Sequence, residues 1–260
     1  MSSYQTKNIP LSRLATFDVG VIGNKKHHVT GLIEIDITEG RKEIRSRIRN
    51  GENLSLNAWI LKCFADAIAE NPQVQGMLYG KKRIVSFEDV DLSIMIERSY
   101  KEELVPLVAV IKKVNCKSIE QIHNEIEVLK KKEIQTEKDF VLSDTNYAGQ
   151  WLYYRLPAFL RVKIMEKIMQ NPFKRKDMMG TALVTNVGGL SSMSGWIIPK
   201  SIHNLSFGIG SINKKPKVIG NEIQIRDIMH LTVLLDHNVL DGAPAARFTA
   251  SLARKFEWRQ

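Results

Sequence analysis

The sequence predicts an α/β fold of the α+β kind, in which helices flank a two-layer arrangement built on one mixed β-sheet. Residues 27–37 alternate between apolar and polar side chains, which is typical of a half-buried strand. Residues 56–72 are strongly apolar and stop at Pro72, which is typical of a buried helix. Strands and helices follow one another without regular alternation. This pattern favours a mixed sheet over a doubly wound parallel one.

The other elements are predicted from similar local patterns. Thr38 is predicted to cap a helix that ends at Gly51, and Ser118 with Gln121 forms a capping-box pattern before a further helix. Pro106 indicates an edge strand or the start of a strand. Further strands are predicted at residues 83–87, 90–97, 104–112, 181–186, 205–212 and 230–236, and a last helix near residues 244–256.

The whole chain, residues 1–260, is predicted to form a single domain, because no repeat, low-complexity segment or flexible linker divides it. Residues 1–10 are predicted to form an N-terminal arm and residues 143–180 a helical insertion. Residues 151–169 of that insertion are apolar and aromatic. A core or subunit-contact helix is favoured there over a membrane-surface or lid helix, since aromatic clusters usually pack.

Composition disfavours several classes of protein. No apolar run approaches a membrane span, and the N-terminus lacks the apolar core of a secretory signal. Cys63 and Cys116 have no metal-ligand spacing and cannot build a disulfide framework, which predicts a cytoplasmic protein without a metal. The net charge of +10 indicates a solvated basic surface or a phosphate-bearing small molecule. Nucleic acid is disfavoured, because no zinc-finger spacing, RNP-type motif or basic arm is present.

The stretch LTVLLDHNVLDGAPAARF, residues 231–248, places a histidine where a predicted strand stops. Asp241 and Gly242 then form a turn, and Pro244 suits the first turn of a helix. A rigidly held histidine with one exposed ring nitrogen can take a proton from a thiol or hydroxyl near neutral pH. Asp241 is predicted to fix the loop by an ion pair or to orient the imidazole of His237. By itself this pattern is more often structural than catalytic, and the other five histidines are interpreted as structural.

The motif DHNVLDGAPAARF resembles the DHR-x-x-DG-x-x-AARF signature of the acyltransferase subunits of 2-oxo-acid dehydrogenase complexes. Four more blocks resemble that family in its own order: LNAWILKCFADAIAENPQV, LVPLVAVIKKVNCKSIEQI, GTALVTNVGGL and LSFGIGSINKKPKVI. The resemblance runs from about residue 10 to the C-terminus. It implies the fold of chloramphenicol acetyltransferase. It also implies a free-standing form, because the lipoyl and subunit-binding domains of complex-bound subunits have no room in this chain.

The resemblance implies a coenzyme A-dependent acyltransferase that moves an acyl group between acyl-CoA and a thiol or hydroxyl acceptor by direct transfer. His237 matches the general base and Thr185 the hydroxyl that stabilises the tetrahedral oxyanion. Asp241 matches the structural or orienting aspartate. Three further residues are expected to shape the two turns without taking part in the chemistry: Gly242, Asn186 and Gly188.

The resemblance also implies a homotrimer, or a larger trimer-based assembly, in which histidine and hydroxyl come from neighbouring subunits. Acyl-CoA is expected as a substrate, with no lipoyl group on this chain and no metal. The acceptor stays open between a dihydrolipoyl group on a separately encoded protein and a small alcohol or amine. Three lysines are weak candidates for the coenzyme A phosphates, although a solvated turn is the favoured interpretation of their stretch, NKKPK: Lys214, Lys215 and Lys217.

Departures from the family pattern leave a second interpretation open. Asn238 stands where the family has arginine, Glu103 stands where it has glycine, and a proline pair is replaced around Lys200–Ser201. A catalytically degenerate core that scaffolds other subunits of a dehydrogenase-type complex is therefore the alternative. Retention of both His237 and Thr185 favours the enzyme.

Overall fold

The computed structural model describes residues 4, 6, 11–80, 82–100, 103–131, 153, 155–188 and 194–257. The helices are α1 (Leu11–Gly23), α2 (Thr38–Arg49), α3 (Leu56–Glu70), α4 (Ile119–Lys131), α5 (Ala158–Met169), α6 (Pro172–Met179) and α7 (Gly242–Phe256). The strands are β1 (His28–Asp36), β2 (Met77–Tyr79), β3 (Arg83–Val85), β4 (Leu92–Tyr100), β5 (Glu103–Ile111), β6 (Ala182–Asn186), β7 (Leu205–Ile219) and β8 (Glu222–Asp236). Short 3-10 helices occupy Pro72–Gln75 and Val114–Cys116.

Six strands form one sheet in the order β1-β8-β7-β6-β4-β5, and β2 pairs with β3 in a separate ribbon. β6 runs parallel to both β4 and β7, while the other neighbouring strands are antiparallel. The predicted mixed sheet with flanking helices is therefore confirmed. β5 lies at an edge of the sheet, as Pro106 indicated, because an edge strand tolerates a missing N–H.

One face of the sheet carries the main hydrophobic core beneath α3 and α7. Phe64 of α3 stacks on Phe207 of β7 with ring centroids 4.2 Å apart. Trp59 and Phe64 meet Phe256 of α7 edge to face, at 5.4 Å and 5.6 Å. Ring burial of this kind contributes both transfer energy and specific geometry. The buried helix predicted at residues 56–72 is confirmed.

The opposite face of the sheet is polar and lies beneath an extended segment, residues 194–204. A Cβ atom at Gly208 would lie 2.6 Å from the carbonyl oxygen of Ile197, and one at Gly210 would lie 2.2 Å from that of Gly195. Glycine at these two positions of β7 therefore lets the segment lie directly on the sheet. Alternation along the strands buries polar side chains on this face: Ser93, Ser206, His230, Thr232 and Asp236.

Two cap predictions had different outcomes. The capping box before α4 is confirmed: the Gln121 N–H donates to Ser118 Oγ (3.1 Å), and the Ser118 N–H donates to Gln121 Oε1 (2.9 Å). The cap predicted at Thr38 is wrong by one residue, because Thr38 is the first residue of α2 and Ile37 occupies the cap position. The Thr38 hydroxyl instead donates to Asp36 Oδ1 at 2.6 Å.

Strands β7 and β8 are much longer than predicted, and the interpretation of NKKPK as a solvated turn is wrong. Asn213–Lys217 lies within β7 and pairs with residues 224–228 of β8. The turn comes later, at Gly220, whose φ of +60° suits glycine. Pairing of β1 with β8 ends at Ile228, so residues 213–227 continue past β1 as a two-stranded hairpin extension.

Helices α5 and α6 lie within the predicted helical insertion, residues 143–180. α5 packs against α1, which the sequence patterns did not predict, and a buried ion pair joins Arg161 Nε to Asp18 Oδ2 at 2.8 Å. Residues 143–152 of the insertion, and most of the predicted arm at residues 1–10, lie outside the described residues. Among the helices that are described, none is long and apolar enough to cross a membrane.

Candidate active site

His237 lies in the turn between β8 and α7. Its backbone N–H donates to the carbonyl oxygen of His27 at 2.9 Å. The chain reverses here because the carbonyl oxygen of Asp236 accepts the N–H groups of Val239 (2.9 Å) and Leu240 (3.2 Å). The His237 side chain is exposed. A fixed backbone therefore carries an imidazole that solvent and ligands can reach.

Asp236, the last residue of β8, is buried directly behind this turn. Its Oδ1 accepts hydrogen bonds from the backbone N–H (3.2 Å) and the side-chain Nδ2 (3.0 Å) of Asn238. Its Oδ2 accepts one from Lys26 Nζ at 2.9 Å. Burial raises the pKa of Asp236, but the hydrogen bond and charge of Lys26, together with the hydrogen bond from the Asn238 N–H, lower it by more, so the net pKa is below its ordinary value. The carboxylate is therefore ionised.

Two cations lie on the inner side of Asp236. Lys26 Nζ and Arg175 Nη2 both donate to Asn204 Oδ1, at 2.6 Å and 3.1 Å, and Asn204 Nδ2 donates to the carbonyl oxygen of Gly76 at 2.6 Å. Burial, and then repulsion from Arg175, lower the pKa of Lys26, and burial lowers the pKa of Arg175 to about 10. The turn therefore rests on a buried, charged network.

Asp241 does not hold this turn in the part of the chain that the structure describes. It is exposed at the N-cap position of α7, and its side chain makes no capping hydrogen bond. Its backbone carbonyl oxygen accepts the N–H of Ala245 at 3.1 Å. Gly242 is the first residue of α7, and a Cβ atom there would meet nothing within 4 Å. The turn-holding contacts expected of Asp241 come from Asp236 instead.

Thr185 lies near the end of β6 and is half-buried. The loop beyond it is shaped by Asn186, whose Oδ1 accepts the N–H of Gly188 at 3.0 Å. A Cβ atom at Gly188 would lie 2.2 Å from the carbonyl oxygen of Gly210. The chain just after β6 therefore packs closely against the backbone of β7.

His237 and Thr185 do not meet within one chain. Thr185 pairs with Gly208, and Gly208 pairs with Thr232, which precedes His237 by five residues on β8. With ~3.3 Å per residue along a strand and ~4.8 Å between strands, the two backbones are about 20 Å apart. Their side chains cannot bridge that gap. Within one chain, the two candidate residues are therefore too far apart to act on the same group.

The three candidate lysines for coenzyme A lie at the hairpin extension. Lys215 Nζ contacts Glu34 Oε1 at 2.6 Å, and Lys217 Nζ contacts Asp36 Oδ2 at 3.3 Å, so both charges are engaged with acids of β1. Lys214 is exposed. Within the described residues, no cluster of histidine, cysteine, aspartate and glutamate side chains could hold a metal ion.

Sequence patterns did not indicate the network behind the turn. Lys26, Arg175 and Asn204 are distant from His237 along the chain and follow no motif. The single available signal was Asp236 itself, a charged residue at the end of an otherwise apolar strand. Such a residue is buried only when it is paired, so a partner could have been expected, although not identified.

Comparison with known proteins identifies one family. The chain matches the family model of the 2-oxoacid dehydrogenases acyltransferase (catalytic domain) over residues 24–139 and 161–258. It is 28% identical over 236 residues to the lipoamide acyltransferase component of the branched-chain alpha-keto acid dehydrogenase complex of Bacillus subtilis (strain 168). That alignment covers 88% of this chain and 46% of the relative, so the chain spans about half the length of that protein.

Solved structures show the same fold. Dihydrolipoamide acetyltransferase of Azotobacter vinelandii, studied for the catalytic roles of a serine, a histidine and an asparagine, superposes with a TM-score of 0.68 at 21% identity, covering 97% of this chain and 91% of that one. The cubic core of a pyruvate dehydrogenase multienzyme complex gives 0.67 at 20% identity, with coverage of 97% and 91%. Chloramphenicol acetyltransferase gives 0.53 at 9% identity, with coverage of 97% and 100%, which confirms the predicted fold.

Proposed function

Because the chain belongs to the family of 2-oxoacid dehydrogenase acyltransferase catalytic domains, we propose that it transfers an acyl group between coenzyme A and a thiol or hydroxyl acceptor. The observation that carries the proposal is His237, an exposed imidazole whose backbone N–H is bound by His27 and whose neighbour Asn238 is bound by the buried carboxylate of Asp236. The Bacillus subtilis relative is named a lipoamide acyltransferase, which supports a dihydrolipoyl thiol as the acceptor.

In the proposed reaction His237 is the general base. Its ring takes the proton of the acceptor thiol as the sulfur attacks the carbonyl carbon of the thioester. The hydroxyl of Thr185 donates a hydrogen bond to the oxyanion of the tetrahedral intermediate. Collapse of the intermediate expels the coenzyme A thiolate, which takes the proton from His237. The roles studied in the Azotobacter vinelandii enzyme, a hydroxyl and an imidazole among them, support this pairing.

We further propose that a second copy of the chain completes the site, with His237 of one copy facing Thr185 of the next in a trimer or a trimer-based assembly. The distance of about 20 Å between the two residues within one chain supports this arrangement. The similarity to the cubic core of a pyruvate dehydrogenase complex supports a multimeric assembly.

The hairpin extension offers an apolar surface for that second copy. Its charged face is fixed to acids of β1 and α2 by Lys215, Lys217 and Arg226. The other face carries an apolar cluster of four residues that the strand register places together: Pro216, Val218, Ile223 and Ile225. Val218, Ile223 and Ile225 are 67%, 76% and 73% exposed. An apolar patch that is this exposed in one chain is typical of a subunit contact.

Thiol release from a panel of acyl-CoAs, with and without dihydrolipoamide, tests the activity. We expect release that depends on the acceptor and disappears in His237→Ala. The scaffold alternative expects no release from the wild-type protein with any acyl-CoA, and that result would remove the proposed reaction.

Light scattering tests the assembly. For the wild-type protein we expect a mass that is a multiple of three chains. The double variant Ile223→Lys with Ile225→Lys places charge on the apolar face and should lower that mass. The matched control is Gln224→Lys, which places the same charge on the opposite face of the extension, since Gln224 pairs with Lys217. A stable and active wild-type monomer would contradict the shared site.

A further inference from the structure

We propose that Asp236 is a positioning residue for His237 and that it acts through Lys26. The inference rests on the proposed function, in which His237 is the general base. Asp236 immediately precedes His237, and its two carboxylate oxygens are divided between two tasks. Oδ1 holds the turn through Asn238, and Oδ2 holds Lys26. The carboxylate therefore ties the histidine turn to the segment that leads into β1.

That segment holds His237 from its other side as well. His27, which follows Lys26, accepts the backbone N–H of His237 at 2.9 Å. Its Nδ1 lies 3.2 Å from Oδ1 of Asn238. Lys26 and His27 thus contact the residues on both sides of His237 as well as His237 itself. Loss of the ion pair between Lys26 and Asp236 releases the carboxylate from this segment, so the turn is held there by fewer contacts.

The same network explains the departure from the family pattern at Asn238. The charges behind the turn are two cations, the partly buried Lys26 and the buried Arg175, against the one carboxylate of Asp236. Arginine at position 238 would add a third cation beside them. Asparagine is neutral and still supplies both hydrogen bonds to Asp236 Oδ1. A neutral residue at 238 therefore keeps the hydrogen bonds to Asp236 without adding a positive charge next to Lys26.

A second buried ion pair provides a matched control. Arg161 contacts Asp18 at 2.8 Å and 3.1 Å, and both side chains are buried, as Asp236 is. This pair joins α1 to α5, and none of the contacts described above for the His237 turn involves it. Removing it costs stability in the same way that removing any buried pair does. It should not alter the position of His237.

The test is a double-mutant cycle on kcat, measured at a temperature where circular dichroism shows every variant folded. We expect Lys26→Met and Asp236→Asn each to lower kcat by about ten- to a hundred-fold with KM for acyl-CoA unchanged, since a misplaced base slows the chemical step. The double variant should be no slower than the slower single variant. Lys26→Arg should recover most of the loss, and Asp18→Asn should lower the melting temperature without lowering kcat.

Full kcat in Lys26→Met, or losses that multiply in the double variant, would overturn the inference and leave the proposed function standing. If Asp236→Asn does not fold, Lys26→Met and its conservative partner Lys26→Arg decide the matter alone. Wild-type protein that turns over no acyl-CoA would overturn the proposed function and this inference together.

Discussion

The two ends of the candidate site are held by different kinds of contact. At the His237 end, ionised side chains fix the turn from behind, chiefly Asp236 and Lys26. At the Thr185 end, the contact between Gly188 and the backbone of Gly210 holds the loop. The first end depends on charged side chains, and the second depends on close backbone packing and one neutral hydrogen bond from Gly188 to Asn186. Changes in charge or pH should therefore disturb the base more than the oxyanion donor.

The largest effect is expected at the base. His237→Ala removes the proton acceptor, so kcat should fall by about 10²–10⁴-fold. Because the side chain is exposed, the melting temperature should change little. Steady-state kinetics and melting curves with the acyl-CoA selected by the panel measure both quantities. Wild-type kcat in His237→Ala would remove His237 from the chemistry.

A smaller loss is expected at the oxyanion donor. Thr185→Ala removes one hydrogen bond to a charge that forms only as the thioester is attacked. The value of kcat should therefore fall by about 10²–10³-fold while coenzyme A binding is retained. Thr185→Ser keeps the hydroxyl and should keep most activity. Equal losses in the two variants would show that the methyl group, and not the hydroxyl, is what the site needs.

The free energy of unfolding should fall in mild acid, because a buried histidine lies beside the charged network behind the His237 turn. His203 is buried, its Nε2 lies 2.8 Å from the carbonyl oxygen of Met179, and burial lowers its pKa to about 3 from the usual 6.5. The unfolded chain therefore takes up a proton first as the pH falls, so stability is full above pH 6.5 and declines towards pH 3. Between pH 7 and pH 5 the loss should be about 2 kcal/mol. Urea unfolding should show it in the wild type and lose it in His203→Gln.

The smallest effect is expected at Asp241. Its side chain is exposed and makes no capping hydrogen bond, so Asp241→Asn should shift the free energy of unfolding by less than about 0.5 kcal/mol. Asp236→Asn, at the other end of the same turn, should be far more costly. Denaturation midpoints of the two variants compare them directly. A strong effect of Asp241→Asn would show that a contact outside the described residues, or from a second copy, uses this carboxylate.

Elements that depend on neighbouring residues could be predicted from the sequence. α3 follows from one apolar run, and the capping box at Ser118 follows from residues three positions apart. The hairpin extension could not be predicted in the same way. Its lysines and Pro216 are typical of a loop in the sequence. In the structure they form a strand, because the lysines pair with acids of β1 that are distant in the sequence.

The candidate site could be predicted only in part, for the same reason. The proposed base, His237, and the proposed hydroxyl donor, Thr185, were predicted from family motifs, each within a short stretch. Asp236 begins the motif around His237, but its partner Lys26 lies 210 positions away and belongs to no motif. The distance between His237 and Thr185 became visible only from the strand register. Residues that position a catalytic group are therefore harder to predict than the group itself.

The central claim, that two copies of the chain build one site, is tested most directly by mixing two inactive variants. His237→Ala supplies an intact Thr185, and Thr185→Ala supplies an intact His237. Co-expressed in equal amounts and assembled at random into trimers, they should restore about a quarter of the wild-type sites. A site works only where a Thr185→Ala chain contributes His237 and its neighbour, a His237→Ala chain, contributes Thr185. Recovery of about that fraction of wild-type kcat is the predicted result. No recovery from mixed trimers, with both variants present by mass spectrometry, would show that each chain uses its own residues and would contradict the account.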